Sequence, residues 1–362
     1  MITVTIVNII AVFFASLVRK NQFKYGLEVA FIIIAIFLSL RYDFGNDYMA
    51  YYKMFYDVGN LDWILQNWNG DVIVEGSREI GWVFMCWLFK PIGFFGMVAV
   101  LSCFQCWVYY QFIKRYVPKE LYWFAILVYV FSAGLMLTHS SMMRQGLSVA
   151  LFVLSTNYIF NKKWLIAAFL IFIAYTFHKS AMILFPFIFI GYLKNININK
   201  TWQIALIILY IVLVTLAPQF QDSFVAIALI LGNDDYIKYY NSGTVAYSFG
   251  LGGILNYIIL AIILFSINKQ DILIKSLFLI FIIGQFTLPL AIIAPGAGRL
   301  NFYFSIFSIA VYPLIYYHFK NSFLKYPILG IILLLIFYSY FEFFQSEIWI
   351  DKFSTYQTIF SA

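Results

Sequence analysis

The chain has 362 residues, of which 64% are apolar or aromatic and 11% are charged, and its mean hydropathy is +0.88. These proportions exclude a water-soluble globular domain and indicate a protein that crosses a membrane many times. A net charge of +7 can signal nucleic-acid binding in a soluble protein. In a membrane protein basic residues report topology instead, so no nucleic-acid partner is expected.

Twelve apolar runs of helical length are predicted to be membrane-spanning helices. The sequence shows no internal repeat or linker, so it predicts an all-α polytopic protein with one integral domain over residues 1–362. The predicted spans are residues 2–18, 25–40, 94–113, 121–138, 142–160, 164–177, 179–193, 202–217, 251–267, 272–290, 299–317 and 327–344.

Basic residues follow alternate spans, and the positive-inside rule places those breaks in the cytoplasm. The opposite breaks carry almost all the acidic residues and are predicted to face outward, as are both termini. The basic residues of the cytoplasmic breaks are Arg19, Lys20, Lys24, Lys114, Arg115, Lys119, Lys162, Lys163, Lys194, Lys200, Lys269, Lys275, Lys320 and Lys325.

One further apolar run, 80–92, is short for a bilayer and ends at Lys90-Pro91. A full crossing there would place Lys114 and Arg115 on the wrong side of the membrane. The sequence therefore predicts a half-inserted segment that enters from the outside and returns.

Two predicted outer segments, 41–79 and 218–250, are too long to be simple connections. Such loops are usually functional or disordered. The first is rich in Tyr and Trp and low in Ser and Pro, which argues against disorder and favours helices lying at the membrane interface. We expect the two segments to form a cap that faces the substrate.

Five cations lie on the predicted outer side, where positive charge is not expected: Arg41, Arg78, Arg144, Lys179 and Arg299. The last three each open a helix predicted to run inward, and a helix N-terminus favours anions over cations. A bound phosphate or pyrophosphate would offset this, so the pattern predicts an anion site. The alternative for a single arginine is a side chain that extends to lipid headgroups.

The neighbouring residues add detail for two of these positions, Arg144 and Lys179. Ser140 or Ser141 is predicted to cap a helix that carries Arg144 in its first turn, with Gln145 beside it. His178 and Lys179 lie between two short spans, which predicts a turn recessed into a polar cavity. The alternative for the histidine is a purely structural hydrogen bond.

The stretch RYDFGNDYMAYYKMF at 41–55 is predicted to turn at Asp43–Asn46 and then to form a helix. In that helix Asp47 and Tyr51 share one face, and Tyr48 lies on the neighbouring one. A carboxylate beside aromatic rings is suited to binding sugars. The same composition is also typical of an interfacial aromatic belt.

Four short motifs together resemble the EpsG-like branch of the Wzy-type polysaccharide polymerases, over roughly residues 41–190. They read R-x-D-x-G-x-D-Y-x-x-Y, E-x-G-W, M-R-Q-G-L-S and F-H-K-S-A. Their residues are Arg41, Asp43, Gly45, Asp47, Tyr48, Tyr51, Glu79, Gly81, Trp82, Arg144, Gln145, Gly146, His178 and Ser180.

The resemblance implies a glycosyltransferase-C-like enzyme at the outer face of the bacterial cytoplasmic membrane. Such an enzyme joins oligosaccharide repeat units carried on undecaprenyl pyrophosphate into O-antigen or exopolysaccharide. The implied partners are the lipid-linked donor and acceptor, membrane lipids and, optionally, a chain-length regulator. No cofactor or metal is expected.

In that chemistry cations would stabilise the pyrophosphate leaving group, and Asp47 or His178 would be the base that accepts the acceptor hydroxyl proton. Two alternatives remain: a flippase or transporter of lipid-linked sugars, which needs polar residues at mid-membrane depth, and a polysaccharide ligase, which needs the same groups. The predicted substrate-binding residues are Arg41, Asp43, Tyr48, Tyr51, Arg78, Glu79, Arg144, Gln145, Lys179 and Arg299.

Overall fold

The computed structural model describes residues 1–59, 79–193, 197–230, 250–293 and 298–361. Within these ranges the chain is almost entirely helical, which confirms the all-α class. The chain divides into two compact units, and each is described by itself. The first comprises Met1–Gly191 and Ser339–Ala362, and the second comprises Tyr192–Tyr338.

The first unit contains most of the helices, two short strands and a long 3₁₀ segment. Its helices are α1 (Ile2–Arg19), α2 (Gly26–Ser39), α3 (Tyr48–Asp57), α4 (Ile80–Leu88), α5 (Gly93–Tyr116), α6 (Tyr122–Phe131), α7 (Ala133–Ser141), α8 (Met143–Phe160) and α9 (Trp164–Phe177), its strands are β1 (Arg41–Tyr42) and β2 (Gln357–Thr358), and its 3₁₀ segment is Lys179–Phe189. The short helix α10 (Ile190–Leu193) begins in this unit and ends in the second.

The packing in this unit follows the chain order, since α1 packs on α2, α2 on α5, α5 on α8 and α8 on α9. Helix α8 is buried on nearly all sides, including its polar positions Ser148, Ser155 and Thr156. Their hydroxyls donate to backbone carbonyls, which satisfies polar groups that have no water to bond to.

The second unit is a bundle in which α13 contacts α12, α15 and α16. Its helices are α11 (Lys200–Ile230), α12 (Leu251–Ser266), α13 (Ile272–Gln285), α14 (Thr287–Ile293), α15 (Gly298–Ser305) and α16 (Ser308–His318). Helix α17 (Lys325–Gln345) begins in this unit, and its residues from Ser339 onward belong to the first unit, as does α18 (Glu347–Phe353).

Among the described residues, six helices are long and apolar enough to cross a membrane. Two bent pairs, Lys119–Phe131 with Gly134–Ser141 and Gly298–Ser305 with Ser308–His318, raise the number to eight if each pair is one span. These helices make the chain a multi-pass membrane protein. The twelve predicted segments are all helical, but twelve crossings and the outward termini remain predictions.

Helix α11 runs through Pro218 to Ile230, so the beginning of the predicted loop 218–250 is helical. The predicted span ended at residue 217, whereas the helix continues with Pro218 in its interior. Residues 231–249 lie outside the described part of the chain.

Helix α4 occupies the segment predicted to be half-inserted. Nine residues span only about 14 Å, roughly half of the hydrocarbon thickness. Both ends of this segment contact the region of α3. Trp82 lies against Tyr51, with ring centroids 4.9 Å apart, and the Lys90 ammonium donates to the Phe55 carbonyl at 2.6 Å. Helix α4 therefore lies alongside α3, and the half-inserted segment stays a prediction.

The C-terminal residues of the first unit hold the turn that follows α2. Strand β2 pairs antiparallel with β1, with Arg41 opposite Thr358. Lys352 forms an ion pair with Asp43 at 3.1 Å, and the Asn46 side chain donates to the Ile348 carbonyl at 2.7 Å. The Tyr356 ring stacks on Phe37 at 4.4 Å. The turn is therefore fixed by residues about 300 positions later in the chain.

Candidate functional site

The turn before α3 brings Asp47 to the N-terminus of that helix. Asp43 and Gly45 both adopt positive φ angles, 41° and 121°, of which only the glycine's is unstrained. A side chain at Gly45 would also lie 2.8 Å from the Ser141 hydroxyl. The close contact lets the Ser141 hydroxyl accept from the Asp47 backbone N–H at 3.5 Å. The predicted turn and helix are confirmed.

Glu79, immediately before α4, joins two other motif segments. One carboxylate oxygen forms an ion pair with the Arg144 guanidinium, and the other accepts from the Lys179 backbone N–H at 3.4 Å. The Glu79 and Arg144 side chains are only 12% and 20% exposed. Because charge pairs interact more strongly where water is largely excluded, this pair fixes the position of the guanidinium.

Tyr51 of α3 completes this arrangement. The Arg144 guanidinium lies over the Tyr51 ring at 5.5 Å, and its Nε donates to the hydroxyl at 3.5 Å. Burial raises the pKa of Tyr51, the positive charge of Arg144 opposes the rise, and the negative charge of Asp47 adds to it. Asp47 is thus within electrostatic reach of the ring that Arg144 contacts.

Two further motif glycines allow the helices to approach each other. At Gly81 a Cβ atom would lie 2.9 Å from the carbonyl carbon of Thr176, the residue two positions before His178. At Gly146 a Cβ atom would clash with the His139 carbonyl oxygen and lie 3.0 Å from Gln105 Nε2. Both contacts involve backbone, which cannot move aside cheaply. The motif glycines therefore set the spacing of the helices that carry Glu79, Arg144 and His178.

Arg144 lies in the first turn of α8, as predicted, but the predicted serine cap is wrong. The residue before the helix is Met142, and no side chain caps it. The Ser140 hydroxyl instead donates to the Leu137 carbonyl within α7, because the chain before α8 is itself helical and not extended.

Arg41 lies in the protein interior, with 3% of its surface exposed. Its guanidinium donates to the Leu38 carbonyl, to the Ser102 hydroxyl at 3.0 Å and to the Ser140 carbonyl at 3.0 Å. Burial lowers the pKa of Arg41 to about 10. The structure does not bring this residue to the Arg144 cluster. Arg41 instead links α2, α5 and α7 through these hydrogen bonds.

His178 connects α9 to the 3₁₀ segment and is half-buried, whereas Lys179 is exposed. Nδ1 of His178 lies 2.5 Å from the Ser180 hydroxyl. The ring is therefore oriented by its neighbour in the F-H-K-S-A motif, beside the lysine whose backbone contacts Glu79.

The remaining predicted residues are dispersed. Asp43 is paired with Lys352, and Tyr48 is fully buried with its hydroxyl donating to the Arg41 carbonyl at 2.8 Å. Gln145 is buried in α8. Arg299 is exposed in α15 of the second unit, and Arg78 lies outside the described residues.

The buried positions of Tyr48 and Tyr51 change one expectation. Both rings pack on other aromatic side chains, Phe94 and Trp82 respectively. Their faces therefore take part in helix packing and are not accessible for stacking on a sugar. Tyr56, one α3 turn beyond Tyr52, is 55% exposed and is the better placed aromatic residue for contact with a soluble group.

Within the described part of the chain, no group of three or more His, Cys, Asp or Glu residues is placed to hold a metal ion. The structure brings Tyr51, Glu79, Arg144 and the backbone of Lys179 into direct contact. Asp47 acts electrostatically on Tyr51, and His178 precedes Lys179 in the chain. Sequence reasoning missed Lys352, since its partner Asp43 is 309 positions away and no local pattern marks the pair.

A family model described as the EpsG family matches residues 24–358, nearly the whole chain. No curated protein and no solved structure matches the chain. The family match extends well beyond the motifs of residues 41–190 and ends at the last residue of β2. The C-terminal segment that holds the turn before α3 is therefore part of the family's common sequence.

Proposed function

The chain belongs to the EpsG family, a Wzy-like family of polysaccharide polymerases, and from this premise we propose that it polymerises undecaprenyl-pyrophosphate-linked oligosaccharide repeat units. The product is O-antigen or exopolysaccharide, made at the outer face of the bacterial cytoplasmic membrane. In each cycle an acceptor hydroxyl attacks the anomeric carbon of the donor chain. The bond from that carbon to the pyrophosphate oxygen breaks, and the lipid pyrophosphate leaves with the electron pair.

The observation that carries the proposal is the convergence of four family motifs on one cluster. Tyr51, Glu79, Arg144 and Lys179 come from four separate segments of the chain and meet through direct contacts, which for Lys179 is a contact of its backbone N–H. A cation in the first turn of a largely buried helix is suited to an anionic ligand, because the helix N-terminus contributes N–H donors beside it.

Arg144 is assigned to the pyrophosphate. Its planar guanidinium can donate several hydrogen bonds at once, so it can contact both Glu79 and a phosphate oxygen. Glu79 acts as a positioning residue that holds the guanidinium in place before substrate arrives. Lys179, which is exposed, adds a second positive charge where negative charge develops on the leaving group.

Asp47 and His178 remain the two candidates for the base. Asp47 is half-buried at the start of α3 and acts electrostatically on Tyr51. If His178 donates from Nδ1 to Ser180, its Nε2 is the basic nitrogen. Loss of a general base typically lowers kcat by about 10²- to 10⁴-fold. Asp47→Asn and His178→Gln, compared at saturating substrate, identify which residue has this role.

The direct test supplies purified protein with a lipid-pyrophosphate repeat unit, without metal ions or nucleotide sugar. A polymerase yields a ladder of products spaced by one repeat. A flippase yields no ladder, and a ligase extends nothing unless a different acceptor is added. Absence of a ladder from correctly folded protein would refute the proposal.

In cells, Arg144→Ala is expected to abolish polymer while single repeats still reach their acceptor. Arg19→Ala, which removes an arginine from the end of α1, is the matched control and should leave polymer length unchanged. Long chains from a well-expressed Arg144→Ala variant would contradict the pyrophosphate assignment.

A further inference from the structure

A pocket with a partly apolar and partly polar lining lies between α5 and α8, and its residues have no part in the cluster around Arg144. It has a volume of about 300 Å³. The helices that form it pack directly on each other. The pocket therefore lies within the first unit.

The lining changes from apolar to polar along both helices. On α5, Trp107 and Val108 are followed one turn later by Gln111 and two turns later by Arg115. On α8, the apolar Val153 and Leu154 are followed one turn later by Asn157. The polar end of the pocket therefore lies at the C-terminal end of both helices. This order matches a lipid, with its chain at one end and its headgroup at the other.

The polar end offers donors and positive charge. Arg115 and Gln111 are exposed. Asn161 donates to the Asn157 side-chain oxygen at 2.9 Å, which occupies that oxygen and leaves the Asn157 NH₂ group as a donor. Among the described residues that line the pocket, none is acidic.

The sequence beyond the two helix ends adds further positive charge. Lys114 and Lys119 flank Arg115, and Lys162 and Lys163 follow α8. By the positive-inside rule these residues face the cytoplasm, where the membrane leaflet carries anionic lipids. The charge of the pocket is complementary to a phosphodiester.

We propose that this pocket binds one anionic phospholipid of the cytoplasmic leaflet, with the phosphate at Arg115 and one acyl chain along Trp107 and Leu154. The proposal goes beyond polysaccharide synthesis, because that reaction takes place at the opposite face. A bound phospholipid would fix α5 against α8, the helix that carries Arg144.

Native mass spectrometry of the full-length protein in detergent tests the proposal, with phosphatidylglycerol and phosphatidylcholine of identical acyl chains as probes. The wild-type protein should bind phosphatidylglycerol at least about tenfold more tightly, because phosphatidylcholine has the same phosphodiester but adds a quaternary ammonium whose positive charge Arg115 repels. Arg115→Gln should remove this preference. Lys119→Gln, a basic residue of the same break outside the pocket lining, should change affinity less than about twofold.

Leu154→Trp provides a second, independent variant, because it fills the pocket from a half-buried position. It should weaken binding of both phospholipids. Equal binding of the two lipids by the wild-type protein would overturn the proposal, as would equal losses in Arg115→Gln and Lys119→Gln. Preferential binding of undecaprenyl phosphate that Leu154→Trp abolishes would assign the pocket to the lipid carrier and also overturn it.

Discussion

The ion pair between Glu79 and Arg144 leads to a prediction that separates positioning from substrate binding. Removing one partner of a fully buried pair lowers stability by about 3–5 kcal/mol, whereas an exposed pair contributes about 0–1 kcal/mol. The two side chains are 12% and 20% exposed. We therefore expect Glu79→Gln and Arg144→Gln each to lower the free energy of unfolding by about 2–3 kcal/mol.

The double variant should recover most of that stability, because neither charge is then left without its partner. Activity should behave differently. Arg144→Gln and the double variant should both lose at least about 100-fold in turnover, since the cation at the leaving group is gone in each. Glu79→Gln should lower turnover by about 30-fold to 150-fold, which is the rate factor that corresponds to about 2–3 kcal/mol.

Thermal unfolding in detergent measures the stability, and ladder formation from a lipid-linked repeat measures the turnover. The exposed pair of Glu28 and Lys114 is the matched control, and Glu28→Gln should change neither quantity measurably. Recovery of activity in the double variant would refute the assignment of Arg144 to the pyrophosphate. Unchanged stability in both single variants would refute the buried pair.

Three further predictions address the framework of the site. Gly81→Ala should lower stability by about 1–3 kcal/mol and remove most activity, because the new methyl group meets backbone. Gly330→Ala, which faces open space within α17, should be neutral or stabilising by up to about 1 kcal/mol. Arg41→Gln should reduce the yield of folded protein, since each buried polar group left without its partner costs about 1–3 kcal/mol. Lys352→Gln and Asp43→Asn should each cost less than about 1 kcal/mol, as expected for a largely exposed pair.

Each of these predictions has a contrary outcome. An active, stable Gly81→Ala variant would mean that α4 and α9 are not in close contact. A raised KM with unchanged stability in Arg41→Gln would show that Arg41 contacts substrate after all. A loss of activity in Lys352→Gln that Asp43→Asn does not reproduce would give the lysine a role beyond its ion pair. Thermal unfolding and initial rates over a range of substrate concentrations supply all three measurements.

Sequence reasoning predicted the helices well because apolar runs of this length have few alternatives in a membrane. It also placed Arg144 in the first turn of its helix and Asp47 with Tyr51 on one helical face, since both follow from local periodicity. The half-inserted segment follows from the placement of the basic residues and from the short length of the run, and it stays a prediction.

Other features could not be predicted from local pattern. Arg41 was grouped with the outer cations because charge alone does not show whether a guanidinium bonds carbonyls or a ligand. The breaks within spans, such as the extended Ser132 between α6 and α7, depend on how neighbouring helices pack. The pairing of Glu79 with Arg144 joins segments 65 positions apart and required the fold itself.

The strand pair formed by β1 and β2 has a consequence for biosynthesis. Asp43 enters the membrane early in translation, but Lys352 follows 309 residues later, after the whole second unit has been made. The nascent protein therefore cannot form the strand pair or the ion pair that hold the turn before α3 until its last residues have been translated. Translation that stops before Thr358 leaves β1 without its partner strand, and such fragments are expected to be substrates for membrane proteases rather than active enzymes.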